Sequence, residues 1–164
     1  MDFDKVIEEW CMKYKPILHR PGERSTNKRF FLVDSIVNIP QLAASLSLGK
    51  SPCVAYEFHA EGEMEGSKIF PEYTISVLVK VTGENFMMKE RSNEAVKEAF
   101  LHVRKLIAWL RDKRETDKSL ENLDLEQIKY DTLGPLINNW YSVFFTITDT
   151  TCEKVYVDPN DYID

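Results

Sequence analysis

The residues with the clearest potential for chemistry are Glu57, His59 and Glu61, which alternate with apolar residues. Imidazole and carboxylate groups are ligands for divalent metals such as zinc or iron. A zinc site needs at least three converging ligands, whereas strand residues two apart are separated by roughly 6.5–7 Å along one face. The pattern therefore predicts the solvated outer face of a half-buried strand, and we expect no metal site.

Two short motifs resemble nucleotide-binding and acylating sequences but do not complete them. Gly49-Lys50-Ser51 matches the end of a P-loop, yet Ala44 stands where the motif needs its first glycine, and Pro52 follows. Ser25-Thr26-Asn27-Lys28 spells S-x-x-K without the partner motifs of serine acylases. We interpret these segments as a turn and a loop. The sequence predicts no cofactor, no catalytic residues and no enzymatic activity.

The cysteines and two of the histidines show no local partner. Cys11, Cys53 and Cys152 are odd in number and form no C-x-x-C pair, which favours small buried thiols in a reducing compartment. His19 and His102 have no neighbouring residue that would complete a catalytic set.

Apolar periodicity predicts the helices. We expect an amphipathic helix over 2–14, stopped by Pro16, a short helix after Pro40 that ends at Gly49, and a long helix from Ser92 or Asn93 to about residue 114. The expected apolar stripe of the long helix is Val96, Phe100, Val103, Ile107 and Leu110.

Alternating apolar residues predict strands over 54–61, 73–82 and 141–147, with weaker signals over 30–33 and 125–132. The first two form an expected antiparallel hairpin with a polar tip over 61–70, and residues 133–135 read as a turn. The predicted fold is a single α+β domain over 1–164, a two-layer arrangement of a mostly antiparallel sheet covered by the long helix and the N-terminal helix. We expect one core that buries Phe100, Ile107, Val77, Val79, Val143 and Phe145.

Charge is distributed unevenly along the 164 residues, whose net charge is −6. A basic loop is predicted over 15–29 and an acidic C-terminal segment over 149–164. The net negative charge argues against general nucleic-acid binding, and we expect no sequence-specific nucleic-acid partner. The first residues do not resemble a signal peptide and no apolar stretch is long enough to span a bilayer, so we expect a soluble protein that is not secreted and has no membrane partner.

The order of elements resembles the small proteins encoded in phage tail-assembly modules. The resemblance rests on FDKVIEEW, SPCVAYEF, PEYTISVLVKV, NEAVKEAFLHVRKLIAWL and NNWYSVFFTITDTTCEKV, and covers most of residues 2–157. It implies a tail-terminator or tail-completion protein, which caps the tail tube as a ring and offers a docking surface for the head. Its expected partners are copies of itself and other tail or head-completion proteins. The implied location is the host cytoplasm during assembly and then the virion tail.

Opposite charges at the two ends of the chain suggest which residues would form the contact between copies. We expect the basic loop to contribute Arg20, Arg24, Lys28 and Arg29, and Trp140 to be a partly exposed apolar contact beside the turn at Asn138 and Asn139. Two independent solvated surfaces would give the same charge pattern. Two further classes also fit: an acidic protein-binding module, such as an immunity or inhibitor protein, and a small enzyme whose site comes from scattered residues.

Overall fold

A computed structural model describes residues 2–22, 28–47, 49–57, 61–65, 68–82, 88–151 and 153–154. Its helices are α1 (Phe3–Lys13), α2 (Ile39–Leu46) and α3 (Met88–Thr116), with short 3-10 turns over Lys118–Leu120 and Ile137–Asn139. Its strands are β1 (Lys28–Val33), β2 (Gly49–Glu57), β3 (Glu61–Glu65), β4 (Lys68–Lys80), β5 (Lys129–Leu136), β6 (Trp140–Thr148) and β7 (Glu153–Lys154). No described helix combines the length and apolar character needed to cross a bilayer.

The strands form one open sheet in the order β1-β2-β4-β6-β5. The first pair, β1 and β2, is parallel and is connected through α2, whereas every other pairing is antiparallel. The 13-residue strand β4 lies at the centre. Its second half pairs with β2 and its first half with β3 on one side, while β6 and β7 line the other side. The α+β class predicted from the sequence is confirmed.

One face of the sheet packs against α1 and α3 and forms the larger core. Helix α3 contributes Ala95, Ala99, Val103, Leu106 and Leu110, and α1 contributes Phe3, Ile7, Trp10 and Cys11. The opposing strand residues include Val54, Ile75, Val77, Val143 and Phe145. A salt bridge joins the two helices, with Lys113 Nζ 2.8 Å from Glu9 Oε2.

The opposite face of the sheet carries a second, smaller core beneath α2. Its largest fully buried side chain is Trp140, which is 1% exposed and packs with Leu42, Leu78 and Leu136. Our expectation that Trp140 is partly exposed is therefore wrong. In the same face, the hydroxyls of Ser76 and Ser142 are fully buried and lie 2.5 Å apart. A single apolar face had been predicted, so this second core was missed.

Several predicted element boundaries need correction. The expected polar tip over 61–70 contains β3 and the start of β4, and the hairpin is longer than predicted. The Gly49-Lys50-Ser51 segment begins β2 and is not a turn. Residues 133–135 lie inside β5, which begins at Lys129 and not at 125. The long helix extends beyond both predicted ends, while the short helix after Pro40 and the strand over 141–147 are confirmed within a residue or two.

The buried stripe of α3 is rotated relative to the prediction. Val103 and Leu110 are buried as expected, but Phe100 and Ile107 are only partly buried at the margin of the core. Ala95, Ala99 and Leu106 face the sheet instead. Small alanines let the helix approach the strands closely, so the larger residues on either side flank the contact.

Paired substitutions on α3 test this orientation. Leu106 is fully buried and Leu101 is 49% exposed on the same helix. We expect Leu106→Ala to lower the free energy of unfolding by about 2–5 kcal/mol, because it leaves a cavity in the core. The matched control, Leu101→Ala, should change it by less than about 0.5 kcal/mol. Urea denaturation measures both, and equal losses would contradict the orientation described above.

Candidate functional site

The first candidate surface is the edge of the sheet at β1. On its outer side, β1 pairs with no strand of the described residues. Phe30 and Leu32 line a groove of about 310 Å³ together with residues 20–22. Asp4 and Glu8 line it from α1, so acidic and basic side chains both border an apolar floor. The Leu32 side chain is 51% exposed, although it belongs to a strand of otherwise core-forming apolar residues.

His19 fixes the chain after α1 against the beginning of this edge. Its Nδ1 accepts a hydrogen bond from the Arg29 amide at 3.4 Å, and its Nε2 lies 3.4 Å from Glu8 Oε1. The His19 amide donates to the Cys11 carbonyl at 2.8 Å. Burial lowers the pKa of the imidazole, and the nearby Glu8 carboxylate opposes that shift. The ring therefore holds local structure in its neutral form.

The two basic residues at the start of β1 have different roles. Arg29 donates from its guanidinium to the carbonyls of Ser51 and Pro52, at 2.9 and 3.1 Å, and so holds β1 to the beginning of β2. Lys28 is exposed, and its Nζ lies 5.3 Å from the centroid of the Phe31 ring. Both residues belong to a strand and not to the predicted loop.

The structure does not bring all the predicted interface residues together. Arg20 and Lys28 border the β1 groove, whereas Arg29 is engaged in holding two strands together. Arg24 lies outside the described residues. Trp140 is buried in the second core and offers no surface to a partner. Of the predicted set, the described surface residues are Arg20 and Lys28.

The acidic C-terminal segment begins inside the fold. Asp149 is buried, its amide donates to the Pro71 carbonyl at 2.7 Å, and its carboxylate accepts from the Thr151 amide at 2.8 Å. Glu153 and Lys154 form β7 and pair with the start of β4. Asp149 therefore serves the structure and is not part of a solvated acidic surface. Cys152 and residues 155–164 lie outside the described part of the chain.

The second candidate surface is the other edge, at β5. Residues 129–132 are exposed, and Tyr130 is 58% exposed although its ring lies 4.9 Å from that of Phe100 on α3. The Thr132 amide donates to Asp131 Oδ1 at 2.7 Å. This edge therefore presents one large aromatic side chain on the helix-covered side of the sheet. Sequence periodicity placed the strand too early and did not identify this surface.

A partly buried cluster of polar groups, centred on the buried His102, was also missed by the sequence analysis. The Tyr14 hydroxyl lies 2.9 Å from His102 Nδ1, and His102 Nε2 lies 3.5 Å from Glu98 Oε1 with no hydrogen-bond partner of good geometry. Burial raises the pKa of Tyr14, which keeps its hydroxyl protonated. Burial also lowers the pKa of His102, against the opposing influence of Glu98. The cluster joins the end of α1 to α3, and only the three-dimensional approach of the two helices reveals it.

The residues that suggested metal chemistry are arranged differently from the prediction. Glu57 is buried, 8% exposed, and its carboxylate accepts a hydrogen bond from the Ile36 amide at 3.2 Å. The expectation that it lies on a solvated face is therefore wrong, because the chain between β1 and α2 folds over it. His59 lies outside the described residues. Among the residues that the structure describes, no three histidine, cysteine or acidic side chains form a group suited to a metal ion.

Cys11 and Cys53 are buried free thiols, as predicted.

Comparisons with known proteins give no relative for this chain. No protein-family model, no curated protein and no solved structure matches it. The functional assignment therefore depends on the resemblance in element order and on the surfaces described above.

Adjacent basic residues provide a test of the role assigned to Arg29. We expect Arg29→Ala to lower the free energy of unfolding by roughly 1.5–3 kcal/mol, because charged hydrogen bonds to two partly buried carbonyls are lost. Lys28→Ala, the exposed neighbour, should change it by less than about 0.5 kcal/mol. Chemical denaturation measures both. A loss no larger for Arg29→Ala than for Lys28→Ala would show that the guanidinium contributes nothing to the fold.

The buried histidines predict a pH dependence of stability. The folded-state pKa of His102 is lower than its ordinary value of 6.5, so between these two values the unfolded chain binds more protons than the folded chain. The free energy of unfolding should therefore fall as the pH falls from 7.5 to 5.5, and His19 acts in the same direction. We expect His102→Gln to show a weaker decline than wild type when denaturation is measured at both pH values. An equally steep decline would assign the effect to other groups.

Proposed function

We propose that this chain is a structural subunit of a phage or prophage-like tail, and that copies of it assemble into a ring that caps or completes the tail tube. The observation that carries the proposal is the open sheet, which leaves two different edges exposed at β1 and β5. A closed ring of identical subunits needs two different surfaces on each copy, because the front of one subunit meets the back of the next. The resemblance in element order supports the same function.

The position of the two edges suits such an arrangement. They stand at opposite ends of the strand order, separated by four strand spacings, or about 19 Å. Each edge exposes a large apolar side chain, Leu32 on β1 and Tyr130 on β5. Exposed apolar residues on unpaired strands favour association. In a protein that works as a monomer, polar residues at these positions would protect the edges against aggregation.

The proposed partners are other copies of this chain together with tail or head-completion proteins. Arg20 and Lys28 border one groove and provide positive charge beside β1. They are suited to steering an acidic surface of a neighbouring component, since exposed charges contribute more to encounter and register than to affinity.

The second candidate function is an acidic module that binds a basic protein, and the observation in its favour is the net charge of −6. Such a module would work as a monomer and would bind through acidic surface. The two functions therefore differ in their self-association.

Solution mass and shape test the proposed function. We expect sedimentation velocity to give one oligomer of defined size, and negative-stain images to show closed rings that bind the ends of tail tubes assembled from the tube protein of the same element. The reason is that head-to-tail contacts through two different surfaces close only at a fixed number of copies. A monomer at every concentration, with no association with tubes, would overturn this proposal and favour the binding module.

A further inference from the structure

We propose that copies of this chain join by sheet continuation, in which β1 of one subunit pairs antiparallel with β5 of the next and places Leu32 opposite Tyr130. This inference rests on the proposed ring function and identifies the surfaces that make the contact. It is carried by the strand directions, the backbone groups and the exposed side chains of the two edges.

The strand directions at the two edges are suited to antiparallel pairing. β1 runs parallel to β2, which is antiparallel to β4; β4 is antiparallel to β6, and β6 to β5. The two edge strands therefore run in opposite directions. When a second copy is placed beside the first in a similar orientation, its β5 meets β1 as an antiparallel neighbour, and the sheet continues from one subunit to the next.

At both edges, the N–H and C=O groups that point outward belong to residues whose side chains lie on the same face of the sheet. In β5 the Thr132 amide donates to the neighbouring Asp131 side chain. We infer that this amide points away from β6, so the outward backbone groups of β5 belong to the even-numbered residues. Residues of one face direct their N–H and C=O groups to the same side of a strand, and reversing the strand reverses that side. At the opposite edge and in the opposite direction, the outward groups of β1 therefore belong to Phe30 and Leu32. The Lys80 amide of β4, which donates to Ser51 Oγ on the β2 side, gives the same alternation.

The exposed apolar side chains select the register. Directly opposed residues in an antiparallel pair share a face, and both Leu32 and Tyr130 lie on the face covered by α1 and α3. They are 51% and 58% exposed, and opposing them would cover both. The same register opposes Phe30 and Thr132, and it places Asp131 diagonally from Arg29 on the other face. The β1–β2 register is irregular between Lys28 and Phe30, and the Arg29 amide there is bound to His19, so the regular, free part of the edge begins at Phe30.

Pairing between two copies of the same edge is less suitable. Joining identical edges ends after two subunits. Pairing β1 with β5 leaves one edge of each kind free and can continue until a ring closes.

Cysteine cross-linking tests the register in the full chain. Opposed residues in an antiparallel pair have Cα atoms within the range that a disulfide requires. In a background with Cys152→Ser, we expect mild oxidation of Leu32→Cys/Tyr130→Cys to give a ladder of covalent oligomers on non-reducing gels. The matched control is Leu32→Cys/Asp131→Cys, which moves one thiol to the next residue and to the opposite face. It should give at least tenfold less cross-linked product.

A backbone substitution tests the pairing without relying on thiols. Thr132→Pro removes one outward amide, which on pairing would exchange its bond to Asp131 Oδ1 for a β1 carbonyl. Proline is tolerated in edge strands when the lost amide faces outward. We expect Thr132→Pro to remain folded by circular dichroism and to sediment as a monomer, whereas Thr132→Ala keeps the wild-type mass. Tyr130→Glu should also dissociate the oligomer, and it serves as the second variant if the proline variant does not fold.

The outcomes separate this inference from the proposed function. A wild-type oligomer that yields the specific ladder and is dissociated by Thr132→Pro supports both. If wild type forms rings but the ladder is absent and the edge variants keep their mass, sheet continuation is wrong while the ring function stands. A wild-type monomer that gives no ladder overturns both proposals.

Discussion

The fold depends on the pairing of β4 along both of its sides. This strand receives β2 and β3 on one side and β6 and β7 on the other, so segments distant in sequence become neighbours only through it. Its residues alternate between two separate cores, with Val77 beneath α3 and Leu78 beneath α2. Both faces of its second half are covered, whereas the outer strands β1 and β5 each keep one large apolar side chain exposed, Leu32 and Tyr130. The location of the candidate assembly surfaces follows from that arrangement.

Local patterns predicted the strands in which apolar residues alternate regularly along the sequence. β6 and the second half of β4 alternate regularly, and each was predicted close to its observed position. Leu133-Gly134-Pro135 was wrongly predicted as a turn, because glycine and proline are strong turn signals, yet an edge strand accommodates both. Trp140 was expected at the surface because two asparagines precede it, but α2 approaches from a distant part of the sequence and covers it. The contact that decides such positions is not encoded in neighbouring residues.

The candidate site was less predictable than the fold for the same reason. Charge identified Arg29 as a contact residue, but charge does not show that a guanidinium has carbonyl acceptors on β2. The identity of the edge strands depends on strand order, which arises from pairings between distant segments. Leu32 and Tyr130 are ordinary strand residues in the sequence, and their exposure becomes evident only when β1 and β5 are found at the two ends of the sheet.

The hydroxyl pairs between β4 and β6 have a consequence for the accuracy of folding. Ser76 and Ser142 lie diagonally across the two strands, while Thr74 and Thr146 are directly opposed, with their hydroxyls 3.3 Å apart. A shift of one residue would turn these groups to the wrong face. A shift of two residues in one direction would place Ser142 opposite Lys80 and separate its buried hydroxyl from that of Ser76. A shift of two residues in the other direction would place Thr74 opposite Phe144 and Thr146 opposite Glu72. An unpaired buried hydroxyl costs about 1–3 kcal/mol. The serine pair and the threonine pair therefore help to fix the register of β4 against β6.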